Sequence, residues 1–429
     1  MRCMWCRSIR ICSDWCWRSS GCCCYCATTK TSSSSDADGP ARPPVWEPLM
    51  PRSLPQKIAD AARLLLLSAE DRAYLRLIRE SGAFDRAYYL EANPKLHRLF
   101  RLFPERHYLR EGEAMGLCPN PTFSPYAYLA QNDDLAAKGI RPFRHWIERG
   151  QAEGRKTLAD LRPAPVPALP RLDAPVPPER AAPVAVALHL YYPDLWPEFH
   201  ERLAAQSFDF DLFVTLTGPA ALADGPAEAI RAAWPAAGVW TLPNRGRDIL
   251  PFAHLAQSGL LRPYAAVCKL HGKRSPHRRD GDAWRTALAD GVLGPPGPTA
   301  ARLRTFLDRA DAGLWMADGQ LYRGNDWWGM NRKIAKGVLS RIGIDPAASL
   351  LRFPAGSVYW VKPAILDRLC ALELTTADFE PEVGLVDGTM AHALERSVGL
   401  LVADAGLEMI ETRNLDTPLA GGHSGTDRR

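Results

Sequence analysis

Residues Asn244–Arg279 read NRGRDILPFAHLAQSGLLRPYAAVCKLHGKRSPHRR, and the parsing of this stretch decides the fold. It is entered from the strand-like Gly238–Leu242 and contains a second apolar strand, Tyr264–Leu270, after an amphipathic helical segment. A helix of about ten residues between two strands implies a crossover between parallel neighbours, whose carboxyl ends lie on one side of the sheet. The cationic loop Asn244-Arg245-Gly246-Arg247-Asp248 and the longer one from Lys269 to Arg279 are therefore expected to open into one crevice. Open α/β sheets bind ligands in that position.

Working outward, the same alternation extends in both directions. A strand is expected over 184–191, a helix over 195–206, a strand over 211–217 and a helix around 227–233. The second half of the chain is thus an α/β domain with a mostly parallel sheet covered by helices. It contains neither G-x-G-x-x-G nor G-x-x-x-x-G-K-[ST], so a dinucleotide or P-loop site has no direct support. Residues 161–183 are rich in Pro and Ala and read as a PPII-like linker and domain boundary.

Before that linker lies an internal repeat. Phe84-Asp85-Arg86-Ala87-Tyr88-Tyr89-Leu90 returns as Phe123-Ser124-Pro125-Tyr126-Ala127-Tyr128-Leu129, and Asn93 and Leu96 return as Asn132 and Leu135. His107-Tyr108-Leu109 with Gly112 and Gly116 returns as His145-Trp146-Ile147 with Gly150 and Gly154. Each unit reads as two short helices with aromatics inward, and its histidine as a core residue bonded to backbone. Upstream, the spacing of Ile58, Ala62, Leu65, Ala69, Ala73 and Leu77 predicts a helix from Gln56. A small all-helical repeat domain over 56–160 would then precede a domain over 184–412, with a disordered tail over 413–429.

Composition sets outer limits. A length of 429 residues suits two or three domains. The first 30 residues contribute +4 of the formal net charge of +5, so bulk charge gives no support for nucleic-acid binding. Eight of the eleven cysteines lie between Cys3 and Cys26, leaving Cys118, Cys268 and Cys370 isolated, as in a protein of a reducing compartment. The C-x-x-C spacings Cys3/Cys6 and Cys23/Cys26 suggest zinc, but without hydrophobic periodicity around them a disordered or misassigned start over 1–55 is the better reading. No secretory h-region occurs, and no segment is long and apolar enough to span a bilayer.

The chemistry of the two loops is that of an anion site. Arg245, Arg247, Lys269, Lys273 and Arg274 have the charge to surround a diphosphate, with Asn244, Asp248, His271 and Ser275 beside them. Charge-assisted hydrogen bonds contribute roughly 1.5–3 kcal/mol each, enough for two or three to dominate recognition. The bland alternatives are a helix cap for Asp248 and a solvated loop for 273–279. Downstream, Trp327-Trp328 follows Asn325-Asp326 and suits stacking on a sugar or base, although paired tryptophans are more often packed. Phe353–Val361 reads as a glycine-broken strand carrying Trp360. The final motif, Phe379–Arg396, offers Glu382 and Asp387 as general bases and His392 beside the sugar. Capping of the following helix is the competing reading for Asp387.

NRGRDILPF, CKLHGKRS, FPAGSVYWVKP and DFEPEVGLVDGTMAHALER together resemble the rhamnan synthesis protein F family across about Val184–Glu411. The aromatic units are similar to short repeats found beside bacterial glycosyltransferase domains. The resemblance implies glycosyl transfer, of rhamnose from dTDP-rhamnose, to a growing or lipid-linked glycan in surface polysaccharide or lipopolysaccharide (O-antigen) assembly. It also implies a cytoplasmic protein at the inner membrane face, with peripheral membrane association; no nucleic-acid partner is expected, because the basic cluster is local. The order of parts is similar to that of GT-A glycosyltransferases, in which Asp-x-Asp after the fourth strand holds a divalent ion on the diphosphate. Lys269-Leu270-His271-Gly272-Lys273 stands at that place, so a protein cation is expected to do the electrostatic work of the metal, with no metal ligands. A non-catalytic carbohydrate-binding or assembly module is the alternative.

Overall fold

In a computed structural model, the described residues form nine strands: β1 (Val184–Leu190), β2 (Phe210–Leu216), β3 (Gly238–Thr241), β4 (Ala266–His271), β5 (Ala312–Met316), β6 (Leu321–Arg323), β7 (Arg352–Pro354), β8 (Tyr359–Val361) and β9 (Glu408–Glu411). Seven of them make one sheet in the order β3-β2-β1-β4-β8-β5-β9, and β6 and β7 pair separately. Only β8 runs antiparallel within the larger sheet. The structure describes residues 67–136, 138–158, 166–173, 181–222, 225–272, 274 and 281–416. The early cysteine cluster, the 56–66 part of the expected helix, Lys273, Ser275 and the 417–429 tail lie outside them.

The expected α/β class is the observed one, with one topological correction. β3 and β4 are parallel but are not neighbours, because β2 and β1 lie between them. Their carboxyl ends still share an edge. The amino end of β8, which is antiparallel, is delivered to that same edge. Phe353–Val361 is split into β7 and β8 by Gly356 (φ 86°) and Ser357 (φ 55°), so the glycine break ends one ladder and starts another.

Period-two alternation sends the strand residues to two cores. Ala185, Ala187, Val267, Leu314 and Val361 face the helices Ile249–Gln257, Pro363–Ala371 and Met390–Asp404. Val186, Leu188, Val214, Leu270, Trp315 and Trp360 face Trp196–Ala204, Gly281–Val292 and Pro296–Asp308. Trp315 and Trp360 stack with ring centroids 6.0 Å apart, and such pairs add about 0.5–1.5 kcal/mol beyond area burial. Part of the Pro-rich segment also packs: Leu172 is buried, and the carbonyls of Pro167 and Pro170 accept from Thr376 Oγ1 and His254 Nε2.

The repeats close around their own aromatic core of Tyr89, Tyr108, Phe123, Tyr128 and Phe143. In each unit a side chain caps the first helix, Asp85 in one and Ser124 in the other. A π-helical turn completes each second helix, at Tyr108–Gly112 and Trp146–Gly150. His107 and His145 bond not to backbone but to the hydroxyls of Tyr89 (2.7 Å) and Tyr128 (3.0 Å). Burial pushes the His107 imidazole down to about 4. The tyrosine hydroxyls leave no room for a Cβ at Gly112 or Gly150. Although Ala is the better helix former, Gly112→Ala is expected to destabilise the fold by about 1–3 kcal/mol. In a Tyr89→Phe background the penalty should shrink, and equal penalties in both backgrounds on urea denaturation would disprove the clash.

Candidate active site

A cleft of about 600 Å³ opens at the carboxyl edge of the sheet. β1 delivers His189, Tyr191 and Tyr192 to it; the loop after β3 delivers Asn244, Arg247 and Asp248; β4 and its loop deliver His271 and Arg274. The segment from Glu382 to Arg396 forms the facing wall, Trp327 and Phe353 line one side, and Tyr126 of the second repeat stands at another. Gly384 packs against that tyrosine, so the helical region supplies part of the wall.

Arg247 joins the two walls. It occupies the left-handed region at φ 54°, next to Gly246 at 67°, a backbone state that costs a non-glycine residue of order 1–3 kcal/mol. The turn aims its guanidinium across the cleft, where it donates to the Leu385 carbonyl and to His392 Nε2 at 2.8 Å. Its Nε lies 3.5 Å from the Glu382 carboxylate. A guanidinium has only donors, so His392 Nε2 accepts, and Nδ1 carries the proton toward Thr389 Oγ1 at 2.8 Å. Burial raises the Glu382 carboxyl above its ordinary value, and Arg247 partly offsets the rise.

Four expectations change. Lys269 is 1% exposed and points into the apolar core rather than at a ligand, with its Nζ 5.6 Å from the Phe252 and Tyr359 rings. Its three donors go to Asp248 Oδ2, the Ser357 carbonyl (2.9 Å) and Ser357 Oγ (2.8 Å). No donor remains for a diphosphate. Arg245 is 6% exposed and donates to the Phe379 carbonyl, tying down the loop instead of lining the cleft. Trp360 and Trp328 are 0% and 2% exposed and are packing residues; Trp327, beside the latter, reaches the cleft. Asp248 precedes Ile249–Gln257 but its side chain makes no capping bond, being held by Lys269.

Asn244, Arg247, Asp248, His271, Glu382 and His392 all line the one cleft. His271 Nε2 donates to the Gly356 carbonyl at 2.7 Å. Asp387 does not cap the last helix, since Thr389 does so. Its Oδ1 accepts instead from Asn331 (2.7 Å) and Arg396 (2.9 Å), and it faces a second cleft behind the first. His189 and the tyrosine pair were missed by motif reading, although their position at the carboxyl end of β1 was the available signal. Glu395 and Arg396 follow His392 at helical spacings of three and four on the same cleft-facing side. Among the described residues, no three His, Cys, Asp or Glu side chains converge so as to hold a metal ion, and no helix is long and apolar enough to cross a membrane.

Among solved structures, a mannosyltransferase from Pyrobaculum calidifontis, in complex with GDP-Man and Mn2+, is 15% identical, with a TM-score of 0.28 and 66% of each chain covered. The protein WxcX, uncharacterized, from two strains of Xanthomonas campestris pv. campestris, is 39% and 38% identical over 163 residues. That match takes in 38% of this chain and only 23% of the length of those relatives. The model of rhamnan synthesis protein F matches residues 174–407, more than half of the chain and all of the cleft-bearing sheet up to its last strand. The chain belongs to the rhamnan synthesis protein F family.

Proposed function

We propose that the chain is a glycosyltransferase that moves a sugar, rhamnose in the first instance, from a nucleotide-diphosphate donor onto a growing surface glycan. The observation that carries the reading is the convergence of Arg247, Glu382, His271 and His392 in one cleft at the carboxyl edge of the sheet, within the span matched by the family. The donor lies along the loops after β1, β3 and β4, with Arg274 and the helix Ile249–Gln257 toward its diphosphate and Tyr191 and Tyr192, just after β1, toward its base. Glu382 accepts the proton of the acceptor hydroxyl as the hydroxyl oxygen bonds to the anomeric carbon and the diphosphate leaves. Burial raises its carboxyl toward a useful proton affinity. Arg247 stabilises the charge that appears on the leaving side.

In this reading the cationic side chains of Arg247 and Arg274 do the electrostatic work on the leaving diphosphate. A panel of nucleotide sugars assayed for nucleotide release is the direct test, with dTDP-rhamnose expected to be turned over and EDTA expected to leave the rate unchanged. Strict dependence on added Mg²⁺ or Mn²⁺ would overturn the metal-independent form of the proposal. Donor binding without release of nucleotide in the presence of any acceptor would identify a carbohydrate-binding module instead.

A further inference from the structure

Behind the donor cleft lies a larger one, of about 910 Å³, between the first repeat and the transferase half of the chain. Its floor on one side is the helix Asn331–Leu339, which turns Arg332, Lys333 and Lys336 toward it. All three are exposed, and none forms an ion pair or hydrogen bond among the described residues. Two of these cations stand in the first turn of their helix, where the macrodipole disfavours positive charge, so helix stability does not account for them. The facing wall brings Tyr88 and Asn93 from the first repeat. The two clefts share Leu385, Val386 and Arg396, and thus adjoin along a ridge with Glu382 on one side and Asp387 on the other.

We propose that this second cleft receives the acceptor, and that the acceptor is a saccharide bearing a phosphate group. The phosphate lies against Arg332, Lys333 and Lys336, whose charge-assisted hydrogen bonds select it over a neutral glycan. The sugar end stacks on Tyr88 and reaches over the 385–386 ridge, placing its hydroxyl beside Glu382. Asp387, fixed by Asn331 and Arg396, positions that end by accepting from a neighbouring hydroxyl. The helical repeats then form one wall of the acceptor site. This inference rests on the transferase reading for its account of the ridge, but its test reads binding and does not need turnover.

The experiment titrates N-acetylglucosamine 1-phosphate and free N-acetylglucosamine into the full chain by calorimetry, with and without dTDP. The phosphorylated sugar is expected to bind at least about ten-fold more tightly than the neutral one, whether or not dTDP is present. The triple variant Arg332→Glu/Lys333→Glu/Lys336→Glu, altered only at exposed positions, should lose at least about ten-fold for the phosphosugar while its affinity for dTDP and its melting midpoint stay the same. Equal binding of the two sugars, or an unaffected triple variant, overturns the proposal. So does inorganic phosphate that binds as tightly as the phosphosugar, which marks a simple phosphate site, or flotation with phosphatidylglycerol vesicles lost in the variant without any phosphosugar binding, which marks a lipid surface. Failure of the transferase reading is separately visible as an absence of nucleotide release with phosphosugar binding intact.

Discussion

Glu382→Gln is expected to lower kcat by about 10²- to 10⁴-fold and to leave donor affinity nearly unchanged. Gln keeps the shape of the side chain and an acceptor oxygen for Arg247, so the cleft keeps its form and only the proton acceptor is lost. The pH dependence gives an independent reading. A base works only when deprotonated, and burial has raised the Glu382 carboxyl above its ordinary value of 4.5, so the acid limb of kcat/KM should fall at a pH above that value. The positive charge of Arg247 favours the carboxylate, which means that Arg247→Met should move the limb to still higher pH as well as slow the reaction. An enzyme with Gln at 382 that turns over within about three-fold of the wild-type rate would transfer the base role away from this residue.

Lys269→Met is expected to destabilise the protein by about 3–5 kcal/mol, because it leaves the carboxylate of Asp248 and the carbonyl of Ser357 without their shared donor in a low-dielectric setting. The cost belongs to the carboxylate that loses this ammonium more than to the lost attraction. Lys269→Met combined with Asp248→Asn should therefore recover most of the stability, since neither charge then remains buried. Urea denaturation of the two single variants and the double variant reads this directly. A Lys269→Met protein within about 1 kcal/mol of wild type would mean that Asp248 is solvated and that the buried pair has no structural role.

Much of the sheet could be read from the chain because its strands, buried on both faces, are short apolar runs punctuated by helices of ordinary amphipathic spacing. The observed bounds of β1 to β4 lie within two residues of those expected. Strand adjacency was another matter. Alternation fixes parallel direction but says nothing of the order in which parallel strands are laid side by side, and two strands came to separate β3 from β4. Charge was the least reliable guide at the site. Lys269 and Arg245 read as ligands because their loops are cationic, yet both are spent on internal carbonyl and carboxylate groups that belong to residues about 20 to 130 positions away, which no local pattern displays. Arg247 and His392, separated by 145 positions, meet for a reason that was visible only as the Gly246 turn and the helix start after Thr389.

The staple between the Arg245–Arg247 turn and residues Phe379, Leu385 and His392 has a consequence for biogenesis. Those contacts join positions 134 to 145 residues apart, so a ribosome-bound chain that has already completed β1 to β4 still lacks half of the pocket. On the proposed reading, a polypeptide that ends before Glu382 would lack both that carboxylate and His392 opposite those loops, and would transfer no sugar even if β1 to β4 had formed.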